Sequence, residues 1–167
     1  WMMPGDEDFI LDFRLLNLAK ADTSGLDFSL SYNVDTAIGD LVFGLSSTYL
    51  LKLEKQVVST GPVFDTVSTA FNPVDVRLRG NATWSRDGWS ASACVNHVDS
   101  YVDDRNIAGI GDVPIDSWTT VDLNLSFDTG GLSGNSFIDN TRFSLSVLNL
   151  FNQGPPRVEI DGFSFAG

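Results

Sequence analysis

The stretch Leu26-Asp27-Phe28-Ser29-Leu30-Ser31-Tyr32-Asn33-Val34 alternates apolar and polar side chains without a break. In an extended chain successive side chains point to opposite faces, so Leu26, Phe28, Leu30, Tyr32 and Val34 share one face and Asp27, Ser29, Ser31 and Asn33 the other. A helix would place these apolar residues all round its circumference, so the period of two predicts a strand. The same pattern returns at Val121-Asp122-Leu123-Asn124-Leu125-Ser126-Phe127 and at Val76–Trp84, where Arg77, Arg79, Asn81 and Thr83 form the polar set.

Working outward, the alternation predicts about seven strands, near 8–18, 23–35, 39–55, 74–86, 88–101, 117–129 and 140–150. Several exceed the usual length of ~5–6 residues and suit a tilted membrane crossing of ~9–11 residues. Asp35–Gly39 and Arg86-Asp87-Gly88 read as short turns, as does the region from Lys20 to Ser24 with the Ser24-Gly25 pair. The segments 56–73 and 102–116, with their Gly, Pro, Asp and Asn, read as long loops. Short turns at one end and long loops at the other are the pattern of membrane barrels. The expected fold is all-β: an antiparallel up-and-down meander forming part of a transmembrane β-barrel wall.

Alternation alone leaves open what covers the apolar face, lipid or a second sheet. The polar faces are built mostly of small Ser, Thr, Asn and Asp, which suits a crowded lumen. Tyr32, Tyr49, Trp84, Trp89, Tyr101 and Trp118 lie near expected strand ends, where interfacial girdles form.

Composition narrows the partners. Against 10 Lys+Arg stand 22 Asp+Glu, for a net charge of -12. Such a chain is poorly suited to neutralising phosphates, so no nucleic-acid partner is expected. The only cysteine is Cys94, which excludes an internal disulfide. No stretch has the ~18–20 apolar residues of a membrane helix. The opening Trp1-Met2-Met3-Pro4 lacks a basic region followed by an apolar core, so no signal peptide is expected at this start.

Near the C-terminus, Phe143–Leu148 runs into Asn149-Leu150-Phe151-Asn152 and then Pro155-Pro156. This resembles the segment before the last strand of TonB-dependent outer-membrane receptors. The physical reading agrees: Asn side chains serve backbone groups freed at a strand end, and the prolines stop ladder pairing. Asn17-Leu18 through Gly25-Leu26-Asp27-Phe28, Arg79-Gly80 through Trp84 with Gly88-Trp89, and Ser117-Trp118 through Asp122-Leu123 resemble further segments of the same family, in the same order.

The resemblance implies an outer-membrane receptor and transporter of a Gram-negative bacterium, not an enzyme. It implies energy-dependent uptake of a large scarce nutrient such as a siderophore, cobalamin or an oligosaccharide. The implied partners are outer-membrane lipid, a small-molecule nutrient and a TonB-type energy-transducing protein, the last acting through an N-terminal region. No cofactor is implied. Family members continue past the proline pair into a last strand ending in an aromatic residue, whereas this chain stops at Phe163-Ser164-Phe165-Ala166-Gly167. Residues 1–167 are therefore expected to be the C-terminal part of a barrel domain, without plug domain or last strand. A whole barrel of this kind has about 22 strands, so seven make an incomplete wall. If a last strand descends to the periplasm, 56–73 and 102–116 are extracellular and the turns at 36–38 and 87 periplasmic.

Candidate sites are few. Asp103, Asp104, Asp112 and Asp116 are expected in an extracellular loop, where they could contact a cationic ligand; general surface acidity is the simpler reading. His97 with Asp99, Asp103 and Asp104 offers metal-ligand types but matches no closed spacing, and a solvated strand end is the simpler reading. Cys94 and His97 are three apart and so on opposite faces of a strand, which excludes a paired nucleophile and base. Arg77 and Arg79 are expected in the lumen, pairing with acidic residues. Two other classes stay open: a soluble β-sandwich carbohydrate-binding module stacking sugar on Trp84, Trp89 and Trp118, and a hydrolase using Asp99, Asp103 and Asp104.

Overall fold

A computed structural model describes residues 20–105, 109, 111–130, 139, 141–160 and 163–166. The strands, in chain order, are β1 (Lys20–Thr36), β2 (Gly39–Gln56), β3 (Phe64–Asp65), β4 (Val76–Arg86), β5 (Trp89–Val98), β6 (Tyr101–Asp103), β7 (Val113–Ile115), β8 (Trp118–Asp128), β9 (Arg142–Val147), β10 (Arg157–Ile160) and β11 (Phe163–Ala166). The expected strand at 8–18 lies outside the described residues.

One sheet dominates, in the order β1-β2-β4-β5-β8-β9, with β3 added beside the end of β2. Every pairing along this path is antiparallel and follows the chain, so the expected meander is what forms. Hairpins β6–β7 and β10–β11 stand apart from it. The alternation assigns no strand to either hairpin.

Register carries the alternation across the whole sheet. Leu30 faces Leu45, Leu45 faces Gly80 and Gly80 faces Val95; Val95 faces Val121. The parallel row Phe43, Ala82, Ala93, Leu123 and Val147 lies beside it. Directly opposed residues share a face, so every strand contributes its apolar set to the same side. The other side collects Ser31, Asn81, Cys94, Asp122, Asn124 and Ser146, among others.

Among the described residues, nothing covers the apolar side. Leu26 is 64% exposed, Leu30 53% and Leu145 64%. Among the described residues the only buried apolar side chains are Val74 and Ile115, and neither belongs to this sheet. The aromatics divide accordingly. Tyr32, Tyr49, Trp84 and Trp89 lie at the margins of the apolar face, as a girdle requires, and Trp89 packs on Phe127 with ring centroids 4.5 Å apart. Trp118 does not join them: opposite Val98 and one step out of phase with Thr119, it is on the polar face. Tyr101 packs against buried Ile115 in the β6–β7 hairpin.

The tight turns gather at one end. Asp87 and Gly88, with φ of 49° and 83°, make the two-residue turn between β4 and β5, the left-handed pair that matches strand twist. Trp84 Nε1 donates to Ile38 O (2.8 Å) and Arg86 donates to Ala37 O (3.0 Å), tying this turn to the neighbouring one. At the same end Arg142 pairs with Asp128 at 3.0 Å.

The region Lys20–Ser24, expected as a turn, is instead the start of the 17-residue β1. The register slips between Ser24 and Gly25, leaving Leu51 of β2 as an extra residue. A β-bulge of this kind lets one strand carry a Gly against the bulged backbone, and a Cβ on Gly25 would meet Tyr49 O at 2.8 Å. Beyond the bulge the face that carried Leu26 and Phe28 carries Lys20 and Asp22. Lys52 bonds Glu54 at 2.9 Å and approaches Asp22 at 3.8 Å, which raises the Lys52 pKa above its ordinary value, Glu54 being the main cause. The bulge therefore ends the apolar band and begins a charged one.

β9 also departs from expectation, ending at Val147 rather than near 150. Asn149 and Asn152 take left-handed backbones, with φ of 50° and 49°, which stops the ladder.

Candidate functional site

The long-loop end is where the connections between β2 and β4, between β5 and β8, and after β9 converge. Two of them are joined. Val102 N donates to Ser68 O at 2.8 Å, and Thr69 bridges Val102. Ile115, 2% exposed, packs against Tyr101 and Val113 to give the β6–β7 hairpin a small core of its own.

The acidic loop residues separate into two kinds. Asp103 is 3% exposed and is gripped by Arg105, whose Nε donates to Oδ1 at 2.7 Å and Nη2 to Oδ2 at 2.5 Å. The Arg105 backbone N–H adds a third bond at 3.2 Å. Charge-assisted bidentate bonding to Arg105 holds the Asp103 pKa below the usual carboxylate range, despite opposition from burial. Its oxygens are thus engaged within the loop. Asp104, Asp112 and Asp116 are exposed. Nothing in the sequence distinguishes Asp103 from these three; its partner lies only two residues on, but burial depends on the hairpin.

Asn149 organises the third connection. Its Nδ2 donates to Gln153 O (3.0 Å) and its Oδ1 accepts from Gln153 N (2.9 Å), so one side chain replaces a strand partner. Asn149 N donates to Asp122 Oδ1 at 2.8 Å, Leu150 N to Val121 O at 2.7 Å, and Trp118 Nε1 to Gln153 O at 3.1 Å. Asp122 and Trp118 belong to the polar face, so the loop is moored to that side. Phe151 and Leu148 stay exposed, and Asn152 N closes back on Asn149 O at 2.8 Å. Pro155 and Pro156 follow with no regular structure.

On the polar face, Arg77 lies between Thr48 and Val98, and Arg79 between Ser46 and Asn96. A hollow of about 440 Å³ is lined by both arginines together with Asp27, Thr48 and Asn96, among others. Asp27 accepts from Thr48 Oγ1 at 2.8 Å.

His97 and Cys94 are on opposite faces: Cys94 pairs with Asp122 and His97 with Thr119. His97 Nδ1 lies 2.7 Å from Thr119 Oγ1. Among the described residues, no group of three or more His, Cys, Asp or Glu is gathered to hold a metal ion. Of the three carboxylates in the hydrolase reading, Asp99 is turned onto Ser100 N at 2.7 Å and Asp103 onto Arg105, while Asp104 is exposed. Trp84 and Trp89 are on the apolar face and Trp118 on the polar one, so they form no common sugar-stacking platform.

A family model described as TonB dependent receptor-like, beta-barrel matches residues 3–150. No curated protein and no solved structure matches the chain.

Proposed function

The chain belongs to the TonB-dependent receptor-like β-barrel family, an outer-membrane receptor and transport family, and from that premise we propose that it forms a wall segment in the C-terminal part of such a barrel. The wall takes part in energy-dependent uptake of a large scarce nutrient, with a TonB-type protein as the inner-membrane partner. Its apolar face meets outer-membrane lipid, and its face of Ser, Thr, Asn and Asp meets a hydrated lumen. The long-loop end is extracellular, and Asp104, Asp112 and Asp116 stand there as ligand-facing carboxylates, while Asp103 supports the loop from within.

One observation carries this reading: an apolar band that no described residue covers, about nine residues long at Leu26–Val34 and Val76–Trp84 and about seven at Trp89–Val95 and Val121–Phe127. At ~3.3 Å per residue and a tilt near 45°, nine residues rise about 21 Å, close to the ~25 Å apolar band of outer-membrane barrels. A water-soluble sandwich would bury these side chains under a second layer.

The experiment places spin labels singly at positions 26 to 34 of the chain, expressed in a Gram-negative host with Cys94→Ser. Membrane-fraction recovery is expected. Oxygen accessibility should peak at 26, 28, 30, 32 and 34, and a water-soluble nickel chelate should reach the labels between them. Recovery in the soluble fraction, or accessibility without a period of two, overturns the proposal.

A further inference from the structure

The apolar face carries a groove along β4 and β5. Gly80 and Ala82 of β4 stand opposite Val95 and Ala93 of β5, and Ala91 lies opposite Trp84. Larger side chains flank this floor, Phe43 and Leu45 on β2 and Leu123 and Leu125 on β8. Two hollows of about 390 and 280 Å³ result, and Ala82 and Ala93 line both. Strand interiors are ordinarily depleted in Gly and Ala, and a Gly there often marks the close approach of another group. No described side chain makes that approach: a Cβ added at Gly80 would meet nothing nearer than Leu45 Cδ1 at 3.9 Å. The chain leaves room over these residues that it does not fill.

The groove ends at a charged pair. Arg86 and Trp89 form the last row of the same face, at the tight-turn end. Arg86 Nε donates to Asp87 Oδ2 at 3.1 Å and Nη1 to Ala37 O at 3.0 Å. Among the described residues, Arg86 Nη2 and Asp87 Oδ1 have no partner, and the two side chains are 50% and 82% exposed. The other carboxylates of this end, Asp35, Asp40 and Asp128, are on the polar face. A cation and an anion side by side complement a zwitterion laid in the opposite order, and do so better than they complement a net charge. From Gly80 to Arg86 the strand runs about 20 Å, which at a tilt near 45° rises about 14 Å, close to one leaflet of a ~30 Å hydrocarbon core.

We propose that the groove and the Arg86–Asp87 pair bind one phospholipid with a zwitterionic ammonium-phosphate headgroup. Its phosphate meets Arg86, its ammonium meets Asp87, and one acyl chain lies over Gly80, Ala82 and Ala93. The site rests on the lipid-facing reading above and adds to it a headgroup and a leaflet, the periplasmic one. Trp84 and Trp89 flank the headgroup level, where indole rings favour the interface.

The test uses the full chain in detergent micelles and native mass spectrometry, with dioleoyl phosphatidylethanolamine, dioleoyl phosphatidylglycerol and dioleoylglycerol each added at the same concentration. The one-lipid peak with phosphatidylethanolamine should exceed each of the others about fivefold, the scale of an exposed ion pair. Arg86→Gln should remove that excess. Asp87→Asn, which tolerates the left-handed backbone of φ 49°, should bring phosphatidylglycerol level with phosphatidylethanolamine. Ala93→Leu fills the groove with a side chain that lipid also accepts, and should lower phosphatidylethanolamine occupancy about fivefold, whereas Val76→Leu, on the same face outside the groove, should not. Equal occupancy by the three lipids overturns the site, as does an unchanged phosphatidylethanolamine peak in both Arg86→Gln and Ala93→Leu. A dimer peak that Ala93→Leu abolishes also overturns it, because a second copy then fills the groove. The spin-label profile at 26 to 34 separates this result from the reading beneath it: a period of two without headgroup selectivity overturns this site alone.

Discussion

Leu123→Lys tests the division between the two faces of the sheet. Leu123 is at the middle of the band on β8, opposite Ala93 on one side and Val147 on the other, and 38% exposed. If lipid covers that face, the ammonium enters hydrocarbon at its midplane, which costs about 2–4 kcal/mol in outer-membrane barrels. At ~1.4 kcal/mol per decade this lowers the folding equilibrium constant by about thirty- to a thousandfold. Ser92→Lys is the control. It adjoins Leu123 in the sheet but faces the polar side opposite Asn124, and should cost under about 0.5 kcal/mol. The assay is urea unfolding of the chain in phospholipid vesicles, followed by tryptophan fluorescence. Equal losses for the two variants, or a Leu123→Lys protein as stable as the parent, would refute lipid exposure of this face.

Three further outcomes follow from the geometry. Asp122→Ala removes the carboxylate that caps Asn149 N, a charge-assisted bond worth about 1.5–3 kcal/mol, so hydrogen exchange at 149–153 should quicken by ten- to a hundredfold. Asp103 has a folded pKa below its unfolded value of about 3.9, with Arg105 as the main cause, so it stabilises the β6–β7 hairpin at pH above about 4 and that contribution disappears as pH falls through the folded value. Limited proteolysis at 101–115 should therefore be flat between pH 5 and 8 and accelerate on further acidification, an acid step that Asp103→Asn should lack. Gly25→Ala places a Cβ 2.8 Å from Tyr49 O at the bulge and should destabilise β1–β2 by about 1–3 kcal/mol in the same urea titration, while the exposed Ser29→Ala should not.

Strand existence was legible because period two is a local property: β1, β2, β4, β5 and β8 lie within a few residues of their expected bounds. What failed was local signal overridden by pairing. Ser24-Gly25 has turn chemistry, yet Leu51 yields to it as a bulge and β1 runs through. The stretch 102–116 has loop composition, yet Tyr101, Val113 and Ile115 bury one another and make a hairpin. At Asn149 the expected service of freed backbone groups is present, but the partner is Gln153, four residues on, and no strand rule points to it.

The amino-acid order by itself determined that this chain makes strands with one apolar and one polar face, and that tight turns and long loops alternate between them. Those features depend on neighbours within a few residues and on the fixed direction of successive side chains. Only the tertiary structure decided that six strands align their apolar rows into one continuous surface that no described residue covers, that Trp118 is on the other side, that Asp103 is enclosed while Asp104 is not, and that two distant loops meet at Ser68 and Val102. Register, enclosure and loop docking depend on which distant segments become adjacent, and a strand's own alternation carries no information about its partner's offset.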